Sequence, residues 1–451
     1  MGKASRTTKL LLDLNERTAG GANTGKRAYL EETARLLDEA RAFYVAFLLA
    51  HPDKLAERVS YFSEKFQEER ERLISANELL SYNFSERFPE FPFIYRRSVI
   101  KDAIGKVRSH LSNLATWRAS GKKKGQPGLP GASNHPTLYD EAFCLDLDAA
   151  DLRTSPRTCF ARLKVYTGVA WQWHNYPVKL SRYFEARWRD PAWEPQSPKL
   201  ILRKKSAALH LPQVKAVEAK KVKESKEDPH LVTVAIDLNV KNLAVITVRQ
   251  DGAIIETVFV RDHGLDQARF RHLKRIAKKQ WQSGKPVKGE HSNQQLWGHV
   301  GRMNEHAAHK VSRIIANVCA KYPGCVLLFE RLRKIKATGG SKSRRMNRKR
   351  ANQLRGQINQ YAKDKAYAQG TVTVEVNPHG TSQYCSRCGA KGERFSNLGG
   401  TRIHEKWGKL FVCPVCHYEA NADFNASVNV HRSFYREWHW QPRKKPPPTA
   451  V

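Results

Sequence analysis

An α+β chain of several domains is what this sequence predicts, and three patterns predict it. In the first quarter apolar residues recur at steps of three and four, as on helices. Over residues 137–215 they alternate with polar ones in short, proline-broken runs, and beyond residue 230 two apolar runs each end in a carboxylate. At 451 residues and 40% apolar content the chain has material for roughly two to four domains. Lys and Arg number 79 against 43 Asp and Glu, a formal charge of +36 spread along the chain. Such an excess fits a folded surface that wraps a polyanion. Ribosome-associated and membrane-surface proteins share it, but no run approaches the ~20 apolar residues of a membrane span. The longest near-apolar run is Ala42 to Ala50, and Met1 to Leu12 lacks the apolar segment and cleavage site of a secretion signal.

The elements follow in order. Lys9 to Leu14 reads as a short strand, closed by a Gly-rich turn at Ala19 to Gly25. A helix is expected over Tyr29 to Leu49, with Leu36, Leu37, Ala40, Tyr44, Phe47 and Leu48 on its apolar side. A second begins at Pro52, a good first-turn residue, and carries Leu55, Val59, Phe62 and Phe66. A third carries Ile100, Ile104, Val107, Leu111 and Leu114, then gives way to a Gly/Pro loop at Gly121 to Gly131. A helical module over 29–120 follows from these. Phe143 to Asp148, Ala161 to Tyr166 and Lys199 to Arg203 read as antiparallel strands, and 216–230 as a Lys/Glu-rich linker.

Eight aromatics lie between Tyr166 and Trp193, interleaved with Lys179, Arg182, Arg187 and Arg189. Rings beside cations can stack bases and hold phosphates; the same rings can equally fill the core of a small β-barrel.

Past the linker, Leu231 to Leu238 is a buried strand with Asp237 near its end. Leu243 to Val248 and Ala253 to Val260 add two strands, joined by a hairpin turn at Gln250 to Gly252. A basic helix over Arg269 to Lys279 offers Arg269, Arg271, Lys274, Arg275 and Lys278 to a phosphate backbone. Leu296, Val300, Met303, Ala307, Val311, Ile314 and Val318 mark another amphipathic helix. The strand Cys325 to Phe329 then ends in Glu330. Directly after it, residues 331–350 hold ten basic residues and no acid, with Arg333, Lys334, Arg344, Arg345 and Arg348 as candidate phosphate contacts. A solvated loop is the plainer reading of that stretch.

Cys385/Cys388 and Cys413/Cys416 form two C-x-x-C knuckles, the donor set of a tetrahedral Zn²⁺ site. Four thiolates leave no open position, so the metal's role is structural. Redox dithiols are the alternative, yet neither pair opens a helix in a βαβ context. His404 or His417 could stand in for one cysteine. Residues 389–412 fit a long hairpin between the knuckles. Asp423 then sits at the start of a helix, where a carboxylate can also be a mere cap.

Asp on the first strand of a meander, Glu after a later parallel strand and Asp on a helix resemble the RuvC branch of RNase H-like nucleases. The zinc ribbon just before the last Asp narrows the likeness. Residues 236–245, 381–389 and 413–420 resemble the transposon-encoded TnpB proteins and the compact type V CRISPR effectors similar to them. The likeness is specific over 231–432 and architectural before that. It implies a wedge-like β-barrel (1–28 and 121–215) interrupted by a helical recognition lobe (29–120). A RuvC nuclease domain (231–380 and 419–435) with its zinc ribbon (381–418) and a flexible tail (436–451) would follow. It further implies guide RNA and single- and double-stranded target DNA as partners, a possible homodimer, no membrane, and a prokaryotic cytoplasm or nucleoid.

Phosphodiester hydrolysis needs charge neutralisation, an activated water and a stabilised leaving oxygen. Two Mg²⁺ ions about 4 Å apart supply all three, and hard oxygens hold them. By resemblance, Asp237 bridges the ions while Glu330 and Asp423 each complete one shell. Crowded carboxylates repel, so without metal their pKa values should rise. Asn239 and His417 stand where the family usually has Gly, and Arg331 where an acid or amide is common. A guided binder that silences without cutting, or a zinc-ribbon nucleic-acid-binding protein of another class, are the rival readings.

Overall fold

The computed structural model of the chain describes residues 2–14, 25–52, 55, 84–121, 125–131, 135–138, 142–146, 158–204, 206–239, 242–261, 264–284, 293–331, 354–398, 400–405 and 408–435. The chain divides into two units, Ser5–Lys215 and Met1–Ala4 with Ala216–Val451. The expected turn at 19–24, the body of the second helix with Val59, Phe62 and Phe66, the basic stretch 332–350 and the tail lie outside the described residues.

The first unit is built on strands β1 (Gly2–Leu12), β2 (Phe143–Asp146), β3 (Thr158–Tyr166), β4 (Trp171–Lys179), β5 (Glu194–Pro195), β6 (Lys199–Arg203) and β7 (Ser206–Val217). Its helices are α1 (Lys26–Ala50), α2 (Phe84–Arg87), α3 (Phe93–Ala119) and α4 (Arg182–Trp188). The sheet runs β2-β3-β4-β1-β7-β5, with β6 beside β7. Among the described residues no ladder joins β2 to β5 or β6, so barrel closure is not seen there. Leu30, Leu37, Tyr44, Phe47 and Leu48 of α1 and Tyr95, Ile100, Ile104 and Val107 of α3 bury against Leu163, Val165, Tyr176 and Val178 of the sheet. The α3 stripe ends earlier than its periodicity suggests: Leu111 is exposed, because the turns beyond Val107 run mostly through solvent. The aromatic group divides. Tyr176 and Phe184 are core, whereas Trp173 and Tyr183 are exposed with Arg162 and Arg187 over their rings at 5.2 and 4.3 Å.

The second unit opens with α5 (Val222–Lys226), a short helix inside the stretch expected as linker. It continues through β8 (Thr233–Asp237), β9 (Asn242–Gln250), β10 (Ala253–Arg261), α6 (Leu265–Gln282), α7 (Gln294–Ala320), β11 (Val326–Glu330), α8 (Arg355–Tyr367) and β12 (Val372–Val376). A small sheet, β13 (Glu393–Leu398), β14 (Thr401–His404), β15 (Leu410–Val412) and β16 (Glu419–Asn421), precedes α9 (Ala422–Tyr435). The larger sheet has the order β10-β9-β8-β11-β12, an antiparallel meander to which β11 and β12 add in parallel. Asp251 and Gly252 both have positive φ, 49° and 81°, the pair that a tight hairpin turn needs. α8 and β12 carried no clear signal: α8 buries only Ile358, Ala362 and Ala366, a stripe mostly of alanine.

Strands β8 and β11 are covered on both faces, as central parallel strands must be. Val234, Ile236, Leu327 and Phe329 pack against Ala308, Val311 and Ile315 of α7 and Ile358 and Ala362 of α8. On the other face, Ala235, Val326 and Leu328 meet Val430 and Phe434 of α9. Side chains alternate along a strand, so Asp237 follows Ala235, and Glu330 follows Leu328, onto the α9 face. No helix among the described residues is long and apolar enough to cross a membrane.

A buried histidine fastens α9 to this sheet. His431 is wholly buried, its Nδ1 lies 2.7 Å from Thr233 Oγ1 and its Nε2 3.2 Å from the Thr247 carbonyl. A carbonyl only accepts, so Nε2 carries the proton and Nδ1 accepts from the Thr233 hydroxyl. Burial, and then the Arg249 charge, hold its pKa down at about 3. A base with a depressed folded pKa contributes stability that is complete above its unfolded value, about 6.5, and is lost as pH falls toward the folded one. Stability should therefore fall by about 1.4 kcal/mol per pH unit below that point from this group alone. His431→Asn should flatten that part of the slope in denaturant titrations; an unchanged slope would contradict the assignment.

Candidate active site

The two strand-borne carboxylates are brought together by register. Ile236 pairs with Phe329 in the parallel ladder, so Asp237 and Glu330 are the next residues on neighbouring strands, about 4.8 Å apart in the backbone. Asp423 comes from the first turn of α9, on the face both side chains share. It is not the helix cap. Asn421 Oδ1 takes that part, accepting from the N–H groups of Asp423 and Phe424 at 2.9 and 3.2 Å. Asp423 is thereby left to accept from Asn239 Nδ2 and to sit 3.8 Å from Arg394 Nη2. Asn239, the departure from the usual Gly, thus tethers one carboxylate beside another.

Asp237 and Asp423 are 8% and 5% exposed. Burial, followed by the charges of Glu330 and Asp423, raises the Asp237 pKa well above the ordinary carboxylate range, against the opposing pull of Arg355 and Arg394. Burial likewise raises Glu330, while the Thr381 hydroxyl, donating at 2.5 Å, and Arg355 act the other way. Three hard-oxygen side chains on one face form a donor set suited to a dication. The three side chains are spread more widely than the cysteines described below.

The four cysteines are a tighter set. Their sulfurs all lie within 4.8 Å of one another, with Cys385–Cys416 at 3.6 Å and Cys388–Cys413 at 3.5 Å. The edge of a tetrahedron with Zn–S bonds of about 2.3 Å is ~3.8 Å, so the knuckles fit one zinc. Burial opposes the Cys413 thiolate, but the N–H groups of Cys416 and Val415 and the neighbouring thiols bring its pKa down to about 7. Each knuckle is followed by a left-handed residue, Gly389 at φ 78° and His417 at φ 53°. His417 therefore occupies a position where Gly is cheaper. It and His404, whose ring meets Phe395, are outside the cysteine cluster.

One polar stripe on α9 clamps the first knuckle. Asn425 Nδ2 and Asn429 Nδ2 donate to the Tyr384 carbonyl at 2.8 and 2.7 Å, and Asn429 Nδ2 also to that of Thr381 at 2.8 Å. Arg432 donates to the Ser386 carbonyl at 2.9 Å, and Asn425 Oδ1 accepts from Ser386 N–H. The helix that carries Asp423 is thus fixed to the cysteine knuckle and, through Thr381, to the residue that holds Glu330.

The basic candidates separate. Arg271, Lys274, Arg275 and Lys278 are exposed along α6. Arg269 is 6% exposed and donates to Asp266 and Asn304 at 2.8 and 3.2 Å, so its hydrogen bonds serve the fold. Arg331 bonds the Glu375 carbonyl at the sheet edge. Arg333, Lys334, Arg344, Arg345 and Arg348 lie outside the described residues. Sequence reasoning missed Arg355 and Arg394. Both are distant from the carboxylates in sequence, and nothing in a hairpin arm or at a helix start marks a guanidinium as a site residue.

Residues 356–430 match the family model of the Cas12f1-like TNB domain, and 17–167 that of the Aq_aa04 family. The chain is 31% identical over 257 residues to a TnpB-like protein, aq_aa05, of Aquifex aeolicus, covering 52% of this chain and 76% of that one. It is also 31% identical over 139 residues to the CRISPR-associated endodeoxyribonuclease Cas12f1 of Sulfoacidibacillus thermotolerans, covering 30% of this chain and 29% of that one. Among solved structures, a Cas12f1–sgRNA–target DNA complex superposes with a TM-score of 0.50 at 14% identity, over 95% of this chain and 98% of that one. The mini RNA-guided endonuclease CRISPR-Cas_phi3 does so at 0.53 and 10%, over 96% and 92%. The structural likenesses speak to fold.

Two outcomes follow from the knuckle geometry. The purified chain should contain one zinc per molecule by elemental analysis, and Cys413→Ser should lose it. His417→Gly should keep the zinc and gain about 0.5–1 kcal/mol, read from the chelator-free unfolding midpoint.

Proposed function

The chain belongs to the TnpB-like family, and from that membership we propose that it is an RNA-guided DNA endonuclease with Asp237, Glu330 and Asp423 as its cleaving centre. One observation carries the reading: three carboxylates from two parallel strands and a helix, Asp237 and Asp423 buried and Glu330 half-buried, occupy the same face at the end of one sheet. On this reading residues 231–380 and 419–435 are a RuvC-type nuclease domain, 381–418 its zinc ribbon, and 216–230 a connection. Residues 1–28 with 121–215 are a wedge-like β-barrel, and 29–120 a recognition lobe.

Asp237, Glu330 and Asp423 would hold two Mg²⁺ ions, which when bound supply an activated water and charge neutralisation at the phosphate. The remaining work belongs to side chains. Thr381 orients Glu330 by donating to it, and Asn239 does the same for Asp423. Arg355 and Arg394 keep the carboxylates from repelling one another apart and offer positive charge to an incoming phosphodiester. The exposed cations Arg271, Lys274, Arg275 and Lys278 are suited to gripping a nucleic-acid backbone. Sequence choice would fall to base pairing by the guide, leaving the protein to read a short flanking motif and the shape of the heteroduplex.

Asp237→Ala should abolish cleavage of a guide-matched DNA, by at least about a thousandfold, with RNA and target binding changed no more than a few-fold. Cleavage by the variant at the wild-type rate would end the catalytic assignment. Guide-dependent binding without cutting by the wild type would favour a silencing protein instead. Failure to copurify a defined small RNA would favour a ribbon protein of another class.

A further inference from the structure

The unit of residues 5–215 contains a cavity of about 530 Å³, remote in sequence from the three carboxylates and the four cysteines. It lies among α1, the middle of α3, the Gly/Pro loop and the start of β6, and Arg41, Lys101, Asp102, Lys106, His110 and Lys199 carry its chemistry. Four basic side chains therefore meet one lining carboxyl, and Asp38 pairs with one of the four, Arg41. No Phe, Tyr or Trp is among the lining residues, so the cavity offers mainly charge and hydrogen bonds.

We propose that this cavity is a phosphate-binding site, taking a phosphate monoester at a nucleotide terminus or free phosphate. The cations are held in place. Arg41 is 3% exposed and paired with Asp38 across one helical turn. Lys106 Nζ donates to the Gly131 carbonyl at 2.5 Å, which leaves two of its N–H donors for a ligand. His110 Nδ1 lies 3.0 Å from the Gly128 carbonyl. Two basic side chains of α3 thus pin the Gly/Pro loop along the cavity's rim. The loop in turn keeps Lys106 partly out of water, and burial, then Arg41, lower its pKa, with Lys199 adding to the shift. Such crowding is unfavourable in the empty site, and Asp102, the one lining carboxyl, offsets only part of it. A dianion relieves the repulsion, and Arg and Lys are the donors that bind phosphate oxygens best. The volume falls in the range of sites for whole small ligands, which favours a nucleotide-borne phosphate over the bare ion.

The test uses the full chain stripped of nucleic acid and two versions of one short single strand, with a 5′-phosphate or a 5′-hydroxyl. The internal phosphodiesters are the same in both, and the variants below report how much preference the extra terminal charge gives without the site. The phosphorylated strand should bind about tenfold tighter, and inorganic phosphate should erase the difference by competition. K106Q/K199Q should abolish the preference. Asp102→Asn, which removes the one lining carboxyl, should enlarge it, an outcome that misfolding cannot imitate. If the strands bind alike but inorganic phosphate raises the melting temperature of the wild type and not of K106Q/K199Q, the ligand is free phosphate and the site stands. Equal binding together with no response to phosphate, or effects that persist unchanged in the variants, overturns it. None of these readouts involves cleavage, so the result is independent of the nuclease proposal.

Discussion

The arrangement of the second unit depends on α9 satisfying three neighbours at once. Its apolar residues Val430 and Phe434 cover the sheet face that bears Ala235 and Leu328. His431 reaches through to Thr233 and Thr247. Its polar stripe, Asn425, Asn429 and Arg432, binds carbonyls of the first cysteine knuckle. A helix held on three sides has little freedom to slide or rotate, and Asp423 in its first turn inherits that rigidity. Without it, three mutually repelling carboxylates would have no reason to remain close.

This couples the zinc knuckles to the carboxylate face by geometry alone. A metal held by these four cysteines would leave no open position for chemistry but would stiffen the loop that carries Thr381 to Cys388. Thr381 holds Glu330, and the same loop's carbonyls hold α9. The cysteine cluster and the candidate active site therefore share one hydrogen-bonded scaffold. Arg394 adds a second link, since it comes from the ribbon strand β13 and lies beside Asp423.

Electrostatics divides the two units in kind. In the second, carboxyl groups are crowded together, with Arg355 and Arg394 only partly offsetting their mutual repulsion. In the first, the cavity beside α3 concentrates positive charge around Asp102. Each is a region where the folded chain tolerates like charges in proximity, an arrangement more often found where a ligand completes the balance than where stability alone is served.

Much of the candidate site was legible in the residues themselves. Apolar runs ending in Asp237 and Glu330 pointed to buried strands with carboxylates at their ends, and two C-x-x-C pairs pointed to a metal-binding cluster. The helix stripes through Tyr44 and Phe47 and through Ile100 and Ile104 were equally plain, because burial follows period. Other features belonged to tertiary structure alone. That Ile236 lies opposite Phe329 is a matter of register, which no single strand encodes. That Asn421 and not Asp423 caps α9, that Arg269 is consumed by Asp266 and Asn304, and that Arg394 stands by Asp423 are outcomes of three-dimensional neighbours. Residue type and spacing determine which chemistry a chain can perform; only packing decides which of several identical side chains is left available to perform it.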